Sequence, residues 1–135
     1  MKRLFMAALL LVAASASAND NAYKFRVMFD TDHFVFGDAD GAHWRRLKQG
    51  CEKGDCEIQI NATNAIAVAP GKYSDEKSER DLGFSRVGET LKARCLRRAG
   101  CSVKLTAEEK TTEKSLARGE TVDVPQNALV DFKGR

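Results

Sequence analysis

The sequence predicts an all-β fold, a small antiparallel sandwich or barrel with two disulfide-closed hairpins. Three observations support this prediction. Several short runs alternate apolar with polar residues, as half-buried strands do. Turn residues separate these runs at regular spacing, and no long amphipathic helix is evident. The chain also has four cysteines that fall into two close pairs, Cys51 with Cys56 and Cys95 with Cys101.

Residues 1–18 are predicted to be a cleavable signal peptide. Lys2 and Arg3 form a basic start, residues 4–14 are apolar, and Ala16 and Ala18 are small residues where a signal peptidase reads. The apolar run is shorter than the roughly 20 residues of a membrane span. An uncleaved anchor or a buried first helix is the alternative. Residues 19–135 then form a single domain, which we expect in the periplasm or outside the cell, with no membrane span.

Alternation of apolar and polar residues predicts the strands of the N-terminal half. Residues 23–29 place Tyr23, Phe25 and Phe29 on one face, and residues 33–36 form a second short strand. Residues 62–69 extend or follow a strand that ends at Ile60. The charged stretch 72–81 has few apolar residues and is expected to be an exposed loop.

The cysteine pair Cys95 and Cys101 lies between two alternating runs, 91–95 and 101–105. If the chain folds back about residues 96–100, the two cysteines face each other and every apolar residue falls on one face. A loop of this length that ends in glycine suits a hairpin. The sequence therefore predicts a hairpin closed by a Cys95–Cys101 disulfide.

The pair Cys51 and Cys56 predicts a second closed hairpin, because Gly54 and Asp55 are turn residues. In this hairpin Leu47 would face Ile60. An even cysteine count in a small exported domain indicates disulfides. Each short bridge contributes about 2 kcal/mol by chain entropy. Two long-range bridges between the hairpins are the alternative. A C-x4-C pair can also bind zinc, which would need more ligands, or do thiol redox chemistry, which usually uses C-x2-C spacing.

The C-terminal part supplies the last strands. Residues 121–124 and 128–132 alternate and are separated by Pro125. Residues 108–114 have a polar composition without an apolar face, which predicts a loop or a frayed turn.

Composition and motifs limit the classes of function that this chain is expected to have. Removal of Lys2 and Arg3 leaves 20 basic against 19 acidic residues, so the mature chain carries a net charge of only about +1. Neither nucleic acid nor anionic lipid is expected as a partner. The chain has no G-x-S-x-G elbow and no H-E-x-x-H zinc motif, and its cysteines are expected to be oxidised. We therefore predict that it is not an enzyme but a binding protein, most concretely an inhibitor or immunity protein acting on another exported protein.

Two tips are the predicted partner-binding sites. The first is residues 96–100, which present Arg97 and Arg98 and are backed by Arg94. Arginine is enriched at binding hot spots, and a rigid tip loses little entropy on binding. Replacing Arg97 and Arg98 with Glu is expected to abolish binding and to leave folding intact. The second tip carries Glu52, Lys53 and Asp55.

The second tip has one resemblance. The pattern Cys51-x-x-x-Asp55-Cys56 is similar to the small disulfide loop that Ivy-type periplasmic lysozyme inhibitors insert into an enzyme's active site. It covers these three residues only, and the histidine and proline of that family's loop have no counterpart here. The resemblance implies a mechanism of insertion and not membership of the family.

One acidic cluster suggests an alternative function. Residues 30–43 contain six candidate metal ligands: Asp30, Asp32, His33, Asp38, Asp40 and His43. Oxygen-rich clusters bind calcium, and histidines with carboxylates bind zinc. An EF-hand loop would need acids in place of Phe36 and Leu47, so that template fails, and turns capped by their own Asp side chains are the simpler interpretation. An ion- or small-ligand-binding envelope protein is the alternative function, and a structural adaptor of an envelope assembly is another. No cofactor other than a divalent cation is suggested.

Overall fold

The structure, a computed structural model, describes residues 22–30, 32–51, 54–69 and 80–135, except for the side chain of Cys51. The predicted signal peptide, Glu52, Lys53 and most of the predicted loop 72–81 lie outside the described residues. The described residues form strands and turns with no helix, which confirms the all-β class. Among them, no helix is long and apolar enough to cross a membrane.

The described residues form thirteen strands. In chain order they are β1 (Ala22–Asp30), β2 (His33–Asp38), β3 (Arg45–Lys48), β4 (Gly50–Cys51), β5 (Gly54–Asp55), β6 (Glu57–Ile60), β7 (Ala65–Val68), β8 (Leu82–Val87), β9 (Thr90–Cys95), β10 (Cys101–Ala107), β11 (Lys110–Leu116), β12 (Thr121–Val124) and β13 (Ala128–Gly134).

The strands assemble into two antiparallel sheets and one small ribbon. The six-stranded sheet has the order β11-β10-β13-β1-β2-β3, and the five-stranded sheet has the order β12-β9-β8-β6-β7. Strands β4 and β5 pair only with each other. The two large sheets pack face to face, because Phe25 and Phe36 contact the edge of Phe84 at centroid distances of 5.9 and 5.4 Å. The molecule is thus a β-sandwich.

The core lies between the sheets and follows the predicted alternation. Phe25 and Val27 of β1 are buried, with Tyr23 and Phe29 packed at the margin of the same face. From the other strands the largest fully buried apolar side chains are Phe34, Phe84, Phe132, Ile58, Leu82 and Leu91. Full burial of one such side chain contributes about 1.5–3 kcal/mol, so this layer dominates the stability of the sandwich.

The Cys95–Cys101 disulfide is confirmed, but the hairpin predicted around it is wrong. Strand β9 pairs with β8 and β12, whereas β10 pairs with β11 and β13. The chain therefore crosses from one sheet to the other at residues 96–100, and the disulfide joins the two sheets with a Cα–Cα distance of 5.9 Å. Alternation specifies which side chains enter the core. It does not specify whether facing strands are neighbours in one ladder or lie across the core.

The second predicted hairpin exists only at its tip. Strands β4 and β5 pair Gly50 with Asp55. The predicted pairing of Leu47 with Ile60 is wrong, because β3 pairs with β2 and β6 pairs with β7 and β8. Cys56 is disulfide-bonded, but the side chain of Cys51 lies outside the described residues, so the Cys51–Cys56 bond stays a prediction.

Two further predictions are wrong. Residues 108–114 mostly form a strand, β11, which follows a tight turn at Glu108 and Glu109, both with positive φ (49° and 66°). Strand β11 is exposed along six of its seven residues, so it has no apolar face that alternation could reveal. Asp81 was predicted to lie in an exposed loop, but it is buried. Tyr23 and Arg97 bind its carboxylate there.

Candidate functional site

A groove opens between the two sheets at one edge of the sandwich, where the end strand β3 and the turn from β6 to β7 lie. We call it the edge groove. Its floor is apolar and consists of Tyr23, Phe25, Phe36, Leu47 and Ile60. Its rim is formed by Lys24, Gly37, Asp38, His43, Arg45 and residues 61–65. The groove encloses about 200 Å³.

Strand pairing explains the position of Arg45 on the rim. Arg45 pairs with Phe36, so both side chains lie on the inner face of the sheet. Strand β3 is the last strand, and Arg45 is exposed there. Arg45 makes no hydrogen bond and no ion pair within the described part of the chain. The groove thus combines an apolar floor with an unpaired guanidinium.

A second rim position is occupied by the pair of Asp38 and His43. The His43 Nδ1 and Asp38 Oδ2 atoms are 2.7 Å apart. The loop between them is closed by backbone hydrogen bonds from Gly41 N to the Asp38 carbonyl and from Asp38 N to the Ala42 carbonyl, and His43 has a left-handed φ of 53°. The hydrogen bond to Asp38, assisted by its charge, raises the pKa of His43. The imidazole therefore stays protonated to a higher pH than usual.

The turn from β6 to β7 forms the opposite rim and is held by its own side chains. The Asn61 Oδ1 atom accepts hydrogen bonds from Thr63 N, Asn64 N and the Thr63 hydroxyl at 2.9–3.0 Å. Arg80 donates to the Asn64 side chain. An Asx turn with this many bonds keeps its shape without help from a ligand.

Trp44 is the single tryptophan of the chain and lies on the outer face of the six-stranded sheet, since Gly37, on which it packs, pairs with Arg26 and faces away from the core. Its ring packs onto Gly37, where an added Cβ would lie 2.6 Å from the ring. The side chain remains 38% exposed. Because Trp44 adjoins His43 and Arg45 in sequence, its fluorescence is a natural reporter of the rim.

A buried polar cluster lies behind the groove, and we call it the polar joint. Tyr23 donates its hydroxyl hydrogen to Asp81 Oδ2 at 2.7 Å, and Arg97 Nη1 donates to Asp81 Oδ1 at 2.8 Å. The Asp81 and Arg97 side chains are 3% and 20% exposed. Burial, followed by the Asp81 charge, raises the pKa of Tyr23, so its hydroxyl stays a donor. The polar joint links β1, the start of β8 and the crossing at residues 96–100.

The disulfide and a glycine hold the polar joint in place. The Cys101 Sγ atom lies 3.6 Å from the Asp81 carbonyl oxygen. Arg97 passes over Gly134 of β13, where an added Cβ would lie 2.7 Å from Nε. Arg97, predicted as a partner-binding residue, is therefore engaged inside the fold.

Arg94 is engaged in the same way. Its Nε and Nη2 atoms donate to both carboxylate oxygens of Glu57 at 2.8 and 2.7 Å, and Gln59 donates to Glu57 as well. The pair crosses Gly83, where an added Cβ would lie 2.4 Å from Glu57. Two of the three predicted arginines thus stabilise the sandwich, while Arg98 is exposed at the crossing.

The second predicted tip is described only in part. Asp55 is exposed on the β4–β5 ribbon. Glu52 and Lys53 lie outside the described residues. Partner binding by Asp55 and Arg98 stays a prediction.

The six candidate metal ligands do not come together. Asp30, Asp32 and His33 lie at one end of β2, and Asp38, Asp40 and His43 lie at or beyond the other. At about 3.3 Å per residue the two ends of this six-residue strand are about 16 Å apart. Asp30 binds Arg46, and Asp32 binds His33. No group of three or more His, Cys, Asp or Glu that could hold a metal occurs in the described ranges.

Sequence reasoning missed the edge groove. The signal available was the basic run Arg45-Arg46-Leu47-Lys48, which is too short to indicate a nucleic-acid surface. Only the pairing of β3 with β2 shows that Arg45 lies beside an aromatic floor. Among the described residues that line the groove there is no serine or cysteine, and the Thr63 hydroxyl is bound by Asn61. No protein-family model, curated protein or solved structure matches the chain.

Proposed function

We propose that this chain is a non-enzymatic binding protein of the periplasm or cell exterior, most concretely an inhibitor or immunity protein that acts on another exported enzyme. The pattern of residues 1–18 and the even cysteine count support export. The Cys95–Cys101 disulfide, with both cysteines fully buried, is consistent with an oxidising compartment.

The observation that carries the proposal is the edge groove. Pockets that enclose drug-sized ligands measure about 300–1,000 Å³, and this groove encloses about 200 Å³. It therefore suits one or two side chains of a protein partner better than a whole small molecule. An apolar floor with a few charged groups at its rim is also the usual composition of a protein interface centre and its border.

The rigidity of the surroundings favours tight binding. The groove is bounded by two packed sheets and by the Asx turn at Asn61, and the sheets are joined by the disulfide. A site that is ordered before binding loses little conformational entropy when the partner docks.

Affinity capture with a matched pair of variants tests the proposal. The oxidised protein, residues 19–135, is used as bait on exported fractions of the source organism, together with Leu47→Asn in the groove floor and Val87→Asn as control. Val87 is 62% exposed and does not line the groove. We expect the unmodified bait and Val87→Asn to retain one enzyme in equal molar amount and to inhibit it. We expect Leu47→Asn to lose both properties. Equal retention and inhibition by Leu47→Asn, or no retained enzyme, would refute the proposal.

Partner binding by the crossing at residues 96–100 must be tested with a different variant from the joint replacement of Arg97 and Arg98 with Glu. Arg97→Glu would place a second carboxylate against the buried Asp81, so loss of binding would report unfolding. Arg98→Glu changes an exposed residue that does not bind Asp81, and a thermal unfolding curve of the variant checks that the fold is kept. The same capture therefore separates the groove from the tip.

A further inference from the structure

We infer that the edge groove and β3 bind an extended acidic segment of the partner protein, which adds as a new strand to β3. This inference rests on the proposed function and specifies the chemistry of the partner.

The backbone of β3 is open on one side. Its four residues pair with β2, from His33 opposite Lys48 to Phe36 opposite Arg45. The described residues place no strand on its other side. An end strand of this kind presents free N–H and C=O groups, and an extended peptide satisfies them by β-augmentation.

The charge of β3 selects an acidic segment. Three of its four residues, Arg45, Arg46 and Lys48, are basic and exposed. Arg46 binds Asp30 at 3.0 Å, whereas Arg45 and Lys48 form no ion pair within the described ranges. The nearby Asp38 is already bound to His43. Carboxylates of an incoming strand would therefore meet Arg45 and Lys48, which have no competing carboxylate among the described residues.

The same charge disfavours a second copy of this chain. If two β3 strands paired antiparallel about a two-fold axis at Leu47, Arg46 of each would lie opposite Lys48 of the other, because directly opposite residues share a face of the sheet. Like charges directly opposite each other destabilise a strand pair. One of the two end strands of the other sheet, β7, has the sequence Ala-Ile-Ala-Val and offers no charge to select a partner.

The groove also determines how far apart the acidic and the apolar residue of the bound segment must be. Arg45 and Leu47 both point to the inner face, because they are two residues apart in one strand. Residues of the added strand opposite them also point inward. The segment then carries a carboxylate opposite Arg45 and, two positions away, an apolar side chain that covers Leu47 and the groove floor.

Peptide binding tests the inference directly. The probe is the end-capped peptide Thr-Glu-Asp-Leu-Asp-Glu-Thr, labelled with fluorescein, which has a Glu two positions from Leu on both sides and therefore meets Arg45 in either strand direction. Its comparison peptide replaces Glu and Asp with Gln and Asn. Anisotropy gives the affinity, and Trp44 emission reports contact at the rim. We expect the acidic peptide to bind at least about tenfold more tightly, since charge-assisted bonds are worth at least about 1.4 kcal/mol. We expect Arg45→Gln to remove this preference and Lys104→Gln, an exposed lysine on β10, to leave it unchanged.

Two N-methylated peptides test strand addition. Methylation of the amides that face β3 is expected to abolish binding, and methylation of the alternate amides is expected to be tolerated. Equal binding of both would refute strand addition. Equal binding of the acidic and neutral peptides, or an unchanged affinity of Arg45→Gln, would refute charge selection. Binding of a short oligothymidine with the same dependence on Arg45 would also overturn the inference, in favour of a nucleic-acid partner.

The two proposals fail in different ways. If capture succeeds and depends on Leu47 while none of the peptides binds, the acidic-strand inference is wrong and the proposed function stands. If capture fails, the proposed function is wrong whatever the peptides do.

Discussion

The polar joint and the edge groove share Tyr23 but use charge in opposite ways. In the polar joint, Arg97 and Asp81 are largely buried and paired, and Tyr23 donates a hydrogen bond to the same carboxylate. At the groove, the Tyr23 ring contributes to an apolar floor, and Arg45 is exposed without an ion pair in the described part of the chain. In the first region the two charges neutralise each other inside the fold, whereas in the second the Arg45 guanidinium has no counter-ion among the described residues.

This difference shows how an arginine can be assigned to stability or to binding. A buried charge is tolerated only when it is paired, so the loss of its partner costs much stability. An exposed charge contributes little to stability, and it can be replaced without unfolding. Substitutions in the two regions are therefore expected to separate stability from binding.

The largest effect is expected for Asp81→Asn. The substitution removes the counter-ion of Arg97, and loss of one partner of a buried pair costs about 3–5 kcal/mol. Urea unfolding followed by circular dichroism measures this loss. Arg45→Gln is the control and is expected to change the free energy of unfolding by less than about 0.5 kcal/mol. Similar losses for both variants would contradict the distinction between the two regions.

The second largest loss of stability is expected from removal of the disulfide beside the polar joint. The double variant Cys95→Ala, Cys101→Ala is expected to lose about 2 kcal/mol by chain entropy, with a further loss from two unfilled sulfur positions in the core. Since Cys101 contacts Asp81, the loss is expected not to add simply to that of Asp81→Asn. Strict additivity in a double-mutant cycle would show that the disulfide and the ion pair act independently.

A smaller effect is expected for Gly37→Ala at the groove. The new Cβ would overlap the Trp44 ring, which is partly exposed and can move outward, so the cost is about 1 kcal/mol. The Trp44 emission is expected to shift to longer wavelength as the ring becomes more hydrated. Gly50→Ala is the control, because an added Cβ there has no neighbour closer than 3.9 Å. An unchanged spectrum for Gly37→Ala would disprove the packing of Trp44 on Gly37.

The smallest effect is expected from the titration of His43, which changes the stability and the affinity for the acidic peptide with pH. Asp38 raises its pKa, so the stabilising interaction is fully present below the ordinary histidine pKa and is lost as the pH rises through the raised value. Affinity for the acidic peptide is expected to decline over the same range, since the rim loses one positive charge next to Arg45. NMR of the imidazole protons gives the midpoint, and His33 is the only other histidine. Asp38→Asn is expected to lower the midpoint, and no change would show that Asp38 does not bind His43 in solution.

Alternation predicted much of the strand content. Residues 23–29, 121–124 and 128–132 lie in strands, as predicted, and 23–29 also have the predicted inner face. Strand β11 was missed, because neither of its faces is covered. Asp38 and His43 were identified as functional candidates, but as metal ligands, and their place on a groove rim followed only from the structure.

The sequence by itself predicted the all-β class, the apolar face of several strands and, ahead of long-range alternatives, the pairing of Cys95 with Cys101. These properties depend on the period of two along each strand and on short distances along the chain. Only the tertiary structure decided that the disulfide joins two sheets, that Arg97 is buried against Asp81 and that Arg45 lies beside an open aromatic floor. The reason is physical: alternation distinguishes inside from outside, whereas the partner of a strand or a charge depends on which distant segments the fold brings into contact.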